Sequence, residues 1–145
     1  MRDIVLDIDV ALHYHIVLQS KFTVVSGDSA NGKSALIKQL TEVPEWKKKY
    51  PNIIIPREVD TDTVADILRK VNENTVLLLD EDILKTLRRL RQAAKLNSLC
   101  CHILLMSHNS MFDLMYSYED VYYLKQSGND LTTEKMFASY TVIKD

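Results

Sequence analysis

The chain has 145 residues, 46% of them apolar and 26% charged, with a formal net charge of −2. That length makes one domain, 1–145, large enough to bury a core without staples. The near-neutral charge gives no indication of general nucleic-acid binding, although it leaves room for a local basic patch. No apolar run is long enough to cross a bilayer, and Arg2, Asp3, Asp7 and Asp9 interrupt any signal-peptide layout, so a cytoplasmic protein with no membrane partner is expected.

Ile4 to Val10 alternates, with Ile4, Leu6, Ile8 and Val10 on one face, and predicts a half-buried strand. Tyr14 to Leu18 predicts a second strand and Phe22 to Ser26 a third. The links are short, so the first two are expected to pair antiparallel and lead into the third. His13 and His15 read as surface strand residues rather than ligands.

Gly27-Asp28-Ser29-Ala30-Asn31-Gly32-Lys33-Ser34 comes next and fits G-x-x-x-x-G-K-[ST] at every specified position. A buried strand precedes it. A helix follows, starting at Lys33 and Ser34, with Leu36, Ile37 and Leu40 on one face. Gly27 and Gly32 permit backbone approaches that a Cβ would block. The N–H groups of Gly27 to Ala35 can converge on an anion, helped by the positive end of the helix. Lys33 can reach β- and γ-phosphates, and the Ser34 hydroxyl can bind Mg²⁺. The motif points to a bound phosphate group.

The helix should stop near Val43, because Pro44 disfavours helix in the residue before it. Glu45 to Tyr50, with its lysine run, reads as a solvated connector. Asn52 to Ile55, between two prolines, reads as a short strand. Thr61 or Asp62 can cap the next helix, whose stripe is Val64, Ile67, Leu68 and Val71. Thr75 to Leu79 is a continuous apolar run, as expected of a parallel strand buried on both faces. Ile83 to Leu96 reads as one helix, with Lys85, Arg88, Arg89, Arg91 and Lys95 on its solvated face. Asp82 is its expected cap.

Cys101 to Ser107 is another buried strand. Cys100 and Cys101 read as buried reduced thiols, since a bridge between neighbours would be strained. Val121 to Leu124 reads as a strand, Ser127 to Asp130 as a turn, and Met136 to Ile143 as a last strand at an edge. Alternating strands and helices after residue 22 predict an α/β domain with a mostly parallel sheet.

The apolar run ending in Asp80-Glu81 supplies the carboxylates that a phosphate loop needs. Asp80 would hold Mg²⁺, and Glu81 would position or deprotonate water. Ser107-His108 ends the next buried strand, where His108 can hydrogen-bond a γ-phosphate.

These segments resemble the Walker A and Walker B elements of additional-strand P-loop NTPases. The opening strands resemble ABC and SMC-type heads, and Ser107-His108 resembles their switch histidine. No LSGGQ-like signature is present, and the stretch from Ser34 to Asp80 leaves no room for the ABC helical subdomain. The chain is more similar to small, uncharacterised ATP-binding proteins of phages and mobile elements, through its Gly-Asp-Ser-x-x-Gly-Lys loop, Asp80-Glu81-Asp82, and Tyr116 to Tyr122 with Ser127-Gly128. It departs from them at Ser107-His108, in place of a Thr-Arg-like pair. The resemblance implies a P-loop fold of three layers, α/β/α, with the 103–107 strand between the strands of the two motifs. It also implies ATP and Mg²⁺ as ligands, with catalysis by Lys33, Glu81 and His108. An ATPase acting with a protein partner or a second copy is expected. A non-catalytic nucleotide switch is the alternative, ahead of a small-molecule kinase.

Overall fold

A computed structural model describes residues 3–9, 12–26, 33–57, 60–106, 116 and 118–135. The chain opens with β1 (Ile4–Asp9), β2 (His13–Leu18) and β3 (Phe22–Val25), followed by α1 (Lys33–Glu42) and α2 (Pro44–Lys49). Then come β4 (Ile53–Ile54), α3 (Thr61–Lys70), β5 (Val76–Leu79) and α4 (Glu81–Arg89). A 3-10 helix (Ala93–Ser98) leads to β6 (His102–Met106), and the hairpin β7 (Val121–Ser127) and β8 (Asp130–Lys135) follows. Among the described residues the eight strands form one mixed sheet in the order β1-β2-β8-β7-β3-β6-β5-β4. The α/β class expected from the sequence is what the chain adopts. No helix among these residues is long and apolar enough to cross a membrane.

The centre of the sheet is parallel: β3 pairs with β6 and β7, β6 with β5, and β5 with β4. Every residue of β3, β5 and β6 is buried. Successive side chains on a strand point to opposite faces, so these strands feed two cores. Phe22, Val24, Leu77, Leu79, Ile103 and Leu105 pack with Val64 of α3, with Ile83, Leu84 and Leu87 of α4, and with Ala93 and Leu96. Val25, Val76, Leu78, Leu104 and Met106 pack with Leu36 and Leu40 of α1 and with the inner face of β1, β2, β7 and β8. Helices therefore cover both faces of the central strands, as continuous apolar runs require.

Several boundaries differ from the sequence reading. β1 and β2 pair antiparallel as expected, and the other side of β2 pairs with β8. The expected turn, Ser127 to Asp130, narrows to Gly128 and Asn129, and Asp130–Lys135, beyond Asp130 unassigned from sequence, is an interior strand; the expected edge strand, Met136 to Ile143, lies outside the described residues. The connector after Pro44 is helical, with Pro44 in its first turn, where a missing N–H costs nothing. α3 is capped by Asp60, not by Thr61 or Asp62: the Thr63 N–H donates to Asp60 Oδ1 at 2.8 Å, and the Asp60 N–H donates to the Thr63 hydroxyl at 3.4 Å. The helix expected over Ile83 to Leu96 breaks after Arg89. Arg91 adopts a left-handed φ of 59°, the Arg91 N–H donates to Arg88 O at 3.0 Å, and the Gln92 N–H donates to Leu87 O at 2.8 Å. That is a Schellman stop, usually built on glycine. Of the two thiols, Cys101 is buried and pushed up to about 11 by that burial, whereas Cys100 is exposed.

The free edge of β1 is covered by Tyr50. The Asp7 N–H donates to the Tyr50 hydroxyl at 2.8 Å, and that hydroxyl donates to Asp7 O at 3.0 Å. Lys49, stacked over the rings of Trp46 and Tyr50, donates to the same carbonyl at 3.3 Å. A side chain thus stands in for a strand neighbour at an edge that would otherwise invite pairing.

On the adjacent strands the register places Asp7 opposite His15 and His13 opposite Asp130. His13 Nε2 lies 2.5 Å from Asp7 Oδ1, and His13 Nδ1 lies 3.1 Å from Asp130 Oδ1. The histidines are strand residues, as expected from sequence, and His13 joins three strands by charge. Its hydrogen bond to Asp7 raises the His13 pKa and lowers that of Asp7. A raised histidine contributes stability below its ordinary value of 6.5 and loses it as pH rises through the folded value. A lowered aspartate contributes above its ordinary 3.8 and loses it as pH falls through the folded value. The cluster should therefore help most from about pH 4 to pH 6.5. In urea unfolding, wild type should lose stability relative to His13→Gln as pH rises past that window. A difference between the two proteins that does not change with pH would exclude this role.

Candidate functional site

The phosphate-loop motif leaves the carboxyl end of β3. That strand is where the connections reverse: β4, β5 and β6 lie on one side of it and β7 on the other. In open α/β sheets ligands bind outside the carboxyl ends of strands at such a switch point. The end of β3 is fixed from both sides. Val25 is in register with Met106 of β6 and with Tyr122 of β7, and the Ser26 N–H donates to Tyr122 O at 2.8 Å.

Register carries the same level across to β5. Val24, Leu105 and Leu79 form one row. One residue further, Val25, Met106 and Asp80 come level, so the ends leading to Gly27, Ser107 and Glu81 emerge on the same edge of the sheet. Asp80 stands two strand spacings from the end of β3, roughly 10 Å along the sheet. That separation leaves room for phosphate and a hydrated cation between them.

Gly27, Asp28, Ser29, Ala30, Asn31 and Gly32 lie outside the described residues, as do Ser107 and His108. Lys33 and Ser34 open α1, and Ala35 is exposed in its first turn. A strand, the motif and a helix therefore follow one another as the sequence requires. α1 is anchored by Leu36 and Leu40 in the core beneath the sheet, which fixes where its amino end sits.

Asp80 takes the capping task that the sequence reading gave to Asp82. It is the N-cap of α4, with the Ile83 N–H donating to Asp80 Oδ1 at 2.8 Å. Asp82 is instead the exposed second residue of that helix. The signal was present in sequence, since an aspartate three residues before the first buried position is a cap pattern, and it overlaps the apolar run ending in Asp-Glu that suggests metal binding. Capping is compatible with the metal role expected from the sequence. A carboxylate has about four lone-pair sites, so capping with one oxygen leaves acceptor capacity for a hydrated cation. Half-buried oxygen donors of this kind suit Mg²⁺. Glu81 is the first residue of α4 and is partly buried, so the cap also sets where its backbone begins.

A further histidine, His102, is fully buried at the amino end of β6. Its Nδ1 lies 2.8 Å from Ser20 O, and since a carbonyl can only accept, Nδ1–H donates. It sits at the opposite end of the sheet from the motif and serves the core.

Comparison with known proteins finds no matching family model, no matching curated protein and no matching solved structure.

The capping role of Asp80 is testable by substitution. Asparagine caps helices as well as aspartate, whereas alanine does not. Asp80→Ala should destabilise the protein by about 0.5–2 kcal/mol in urea unfolding, whereas Asp80→Asn should stay within about 0.5 kcal/mol of wild type. Equal losses in both would mean that the charge, and not the cap, is what α4 depends on.

Proposed function

We propose that this chain binds ATP at the 27–35 loop and hydrolyses it with Mg²⁺, acting with a partner protein or a second copy of itself. The observation that carries the reading is the sheet order. β6 lies between β3 and β5, with the ends of all three strands level. That is the arrangement the resemblance to additional-strand P-loop NTPases implies. The three-layer P-loop fold is part of the same proposal, supported by helices on both faces of the central strands.

The roles follow from the chemistry. Backbone N–H groups of the loop and the amino end of α1 hold the phosphates. Lys33 adds a positive charge at the β- and γ-phosphates. Ser34 and Asp80 would hold Mg²⁺, whose charge offsets that developing on the phosphates. Glu81, beside Asp80, orients the attacking water and accepts its proton. His108 offers a hydrogen bond to the γ-phosphate from the end of β6. A partner is part of the proposal because sites of this kind are often completed by a neighbouring chain. An arginine supplied across an interface is worth roughly 10³–10⁵ in rate where it completes such a site.

Nucleotide binding and phosphate release, followed across protein concentration, test the proposal. Lys33→Ala should lose ATP binding at least about tenfold. Glu81→Gln should retain binding and lose turnover by about 10²–10⁴. Specific activity that rises with protein concentration marks a shared site. Tight ATP binding without turnover under every condition would replace hydrolysis by a nucleotide switch, and unchanged ATP binding in Lys33→Ala would sink the site itself.

A further inference from the structure

The segment Leu84 to Ser98 carries Lys85, Arg88, Arg89, Arg91 and Lys95 and no acid, in a chain of net charge −2. All five cations are exposed. Lys85, Arg88 and Arg89 stand at i, i+3 and i+4 of α4 and so share one face. That face lies opposite Ile83, Leu84 and Leu87, which are buried against the sheet. Arg91 and Lys95 continue the basic run into the turn and the 3-10 helix.

The helix dipole favours cations in a last turn, which accounts for Arg88 and Arg89. It does not account for Lys85, one turn earlier, or for Arg91 and Lys95, beyond the helix. Arg91 is the more telling residue. It occupies the left-handed position of the Schellman stop, where φ is 59°. Glycine takes that conformation without strain and is the usual occupant. Here the position holds an exposed arginine, so a cation is kept where the backbone favours a residue with no side chain.

We infer that this ridge is a docking surface for the phosphate backbone of a nucleic acid. Three of the five cations are arginines, whose planar forks match phosphate oxygens with paired hydrogen bonds. Other polyanionic partners fit the surface less well. A membrane surface would need apolar side chains to insert. The apolar side of α4 is already buried, and among the described residues the exposed large hydrophobic is Val5, on β1. An acidic peptide would need an anchor pocket. The cavity beneath the ridge, between α3, α4 and the 3-10 helix, is only about 20 Å³ and is lined by Val64, Leu68, Leu87 and Leu99, room for a water molecule and not for a side chain. What the surface offers is charge and guanidinium geometry, which is how proteins hold nucleic acid without reading its sequence.

The test uses the full chain without nucleotide, so it stands apart from the ATPase reading. Binding of labelled single-stranded and duplex DNA is followed by fluorescence anisotropy between about 50 and 200 mM salt. Wild type should bind at low salt and weaken steeply, with a slope of log affinity on log salt of about −2 to −4, as expected for three to five phosphate contacts. Arg91→Gly should melt at or above the wild-type temperature, yet bind more weakly at every salt, with a slope shallower by about one. Lys85→Glu with Arg89→Glu should remove binding, with circular dichroism confirming the fold. No binding at low salt, wild-type affinity in Arg91→Gly, or equally tight binding to polyglutamate or to phosphatidylserine vesicles would overturn the inference.

Discussion

The parallel pairing of β3, β6 and β5 is the constraint on which the rest of this structure depends. All the residues of these strands are buried, and each large side chain contributes roughly 1.5–3 kcal/mol by leaving water. Alternation then divides them between two cores, one under α3 and α4 and one under α1. A slip of one residue in any of the three strands would exchange the faces and mismatch both cores at once. The register is therefore held strongly, and it is the register that brings the ends of β3, β5 and β6 to one level. Chemistry proposed at that edge is positioned by packing well away from it.

Around this centre the chain uses small devices at its ends and edges. Asp60 and Asp80 cap α3 and α4 with their carboxylates. Tyr50 satisfies the backbone of Asp7 on the free edge of β1. His13 ties β1, β2 and the start of β8 together through Asp7 and Asp130. Each device satisfies polar groups at the end or edge of an element, where the central strands offer no partner. The curled end of the sheet, β1, β2 and β8, has its own inner face of Leu6, Ile8, Tyr14, Ile16 and Leu131 closing over α1. Hydrophobic burial holds that end, and charge and side-chain hydrogen bonds set its alignment.

Helix α4 connects the two surfaces of interest. Its first turn carries Asp80 and Glu81 at the proposed phosphate site, and its last turn and the stop that follows carry Arg88, Arg89 and Arg91. Between them runs the buried stripe Ile83, Leu84 and Leu87. A helix of nine residues spans only about 14 Å, and the buried residues of this one share a core with β5 and β6. The acidic start and basic end suit the helix dipole, so one short element presents opposite charges at its two ends without electrostatic conflict.

The sequence by itself determined the strands with the strongest apolar runs, the phosphate-loop motif with its flanking strand and helix, and the pair Asp80-Glu81. Those features are local: a period of two, a period of 3.6, or a fixed spacing of glycine, lysine and serine. It also implied β6 between β3 and β5, though only through resemblance, since nothing in a linear pattern says which strands are neighbours. Tertiary structure decided what depends on distant partners. β8 is a strand because β2 and β7 pair with it on either side, which the polar Asp130 to Lys135 could not announce. Helix α4 stops at Arg89 because Leu96 and Leu99 must turn back into the core beside Leu87, and a continued helix would carry them past it. Asp80 became a cap because the strand before it fixed where α4 begins. Local spacing names the chemistry, and only the register of buried strands decides which of those groups stand together.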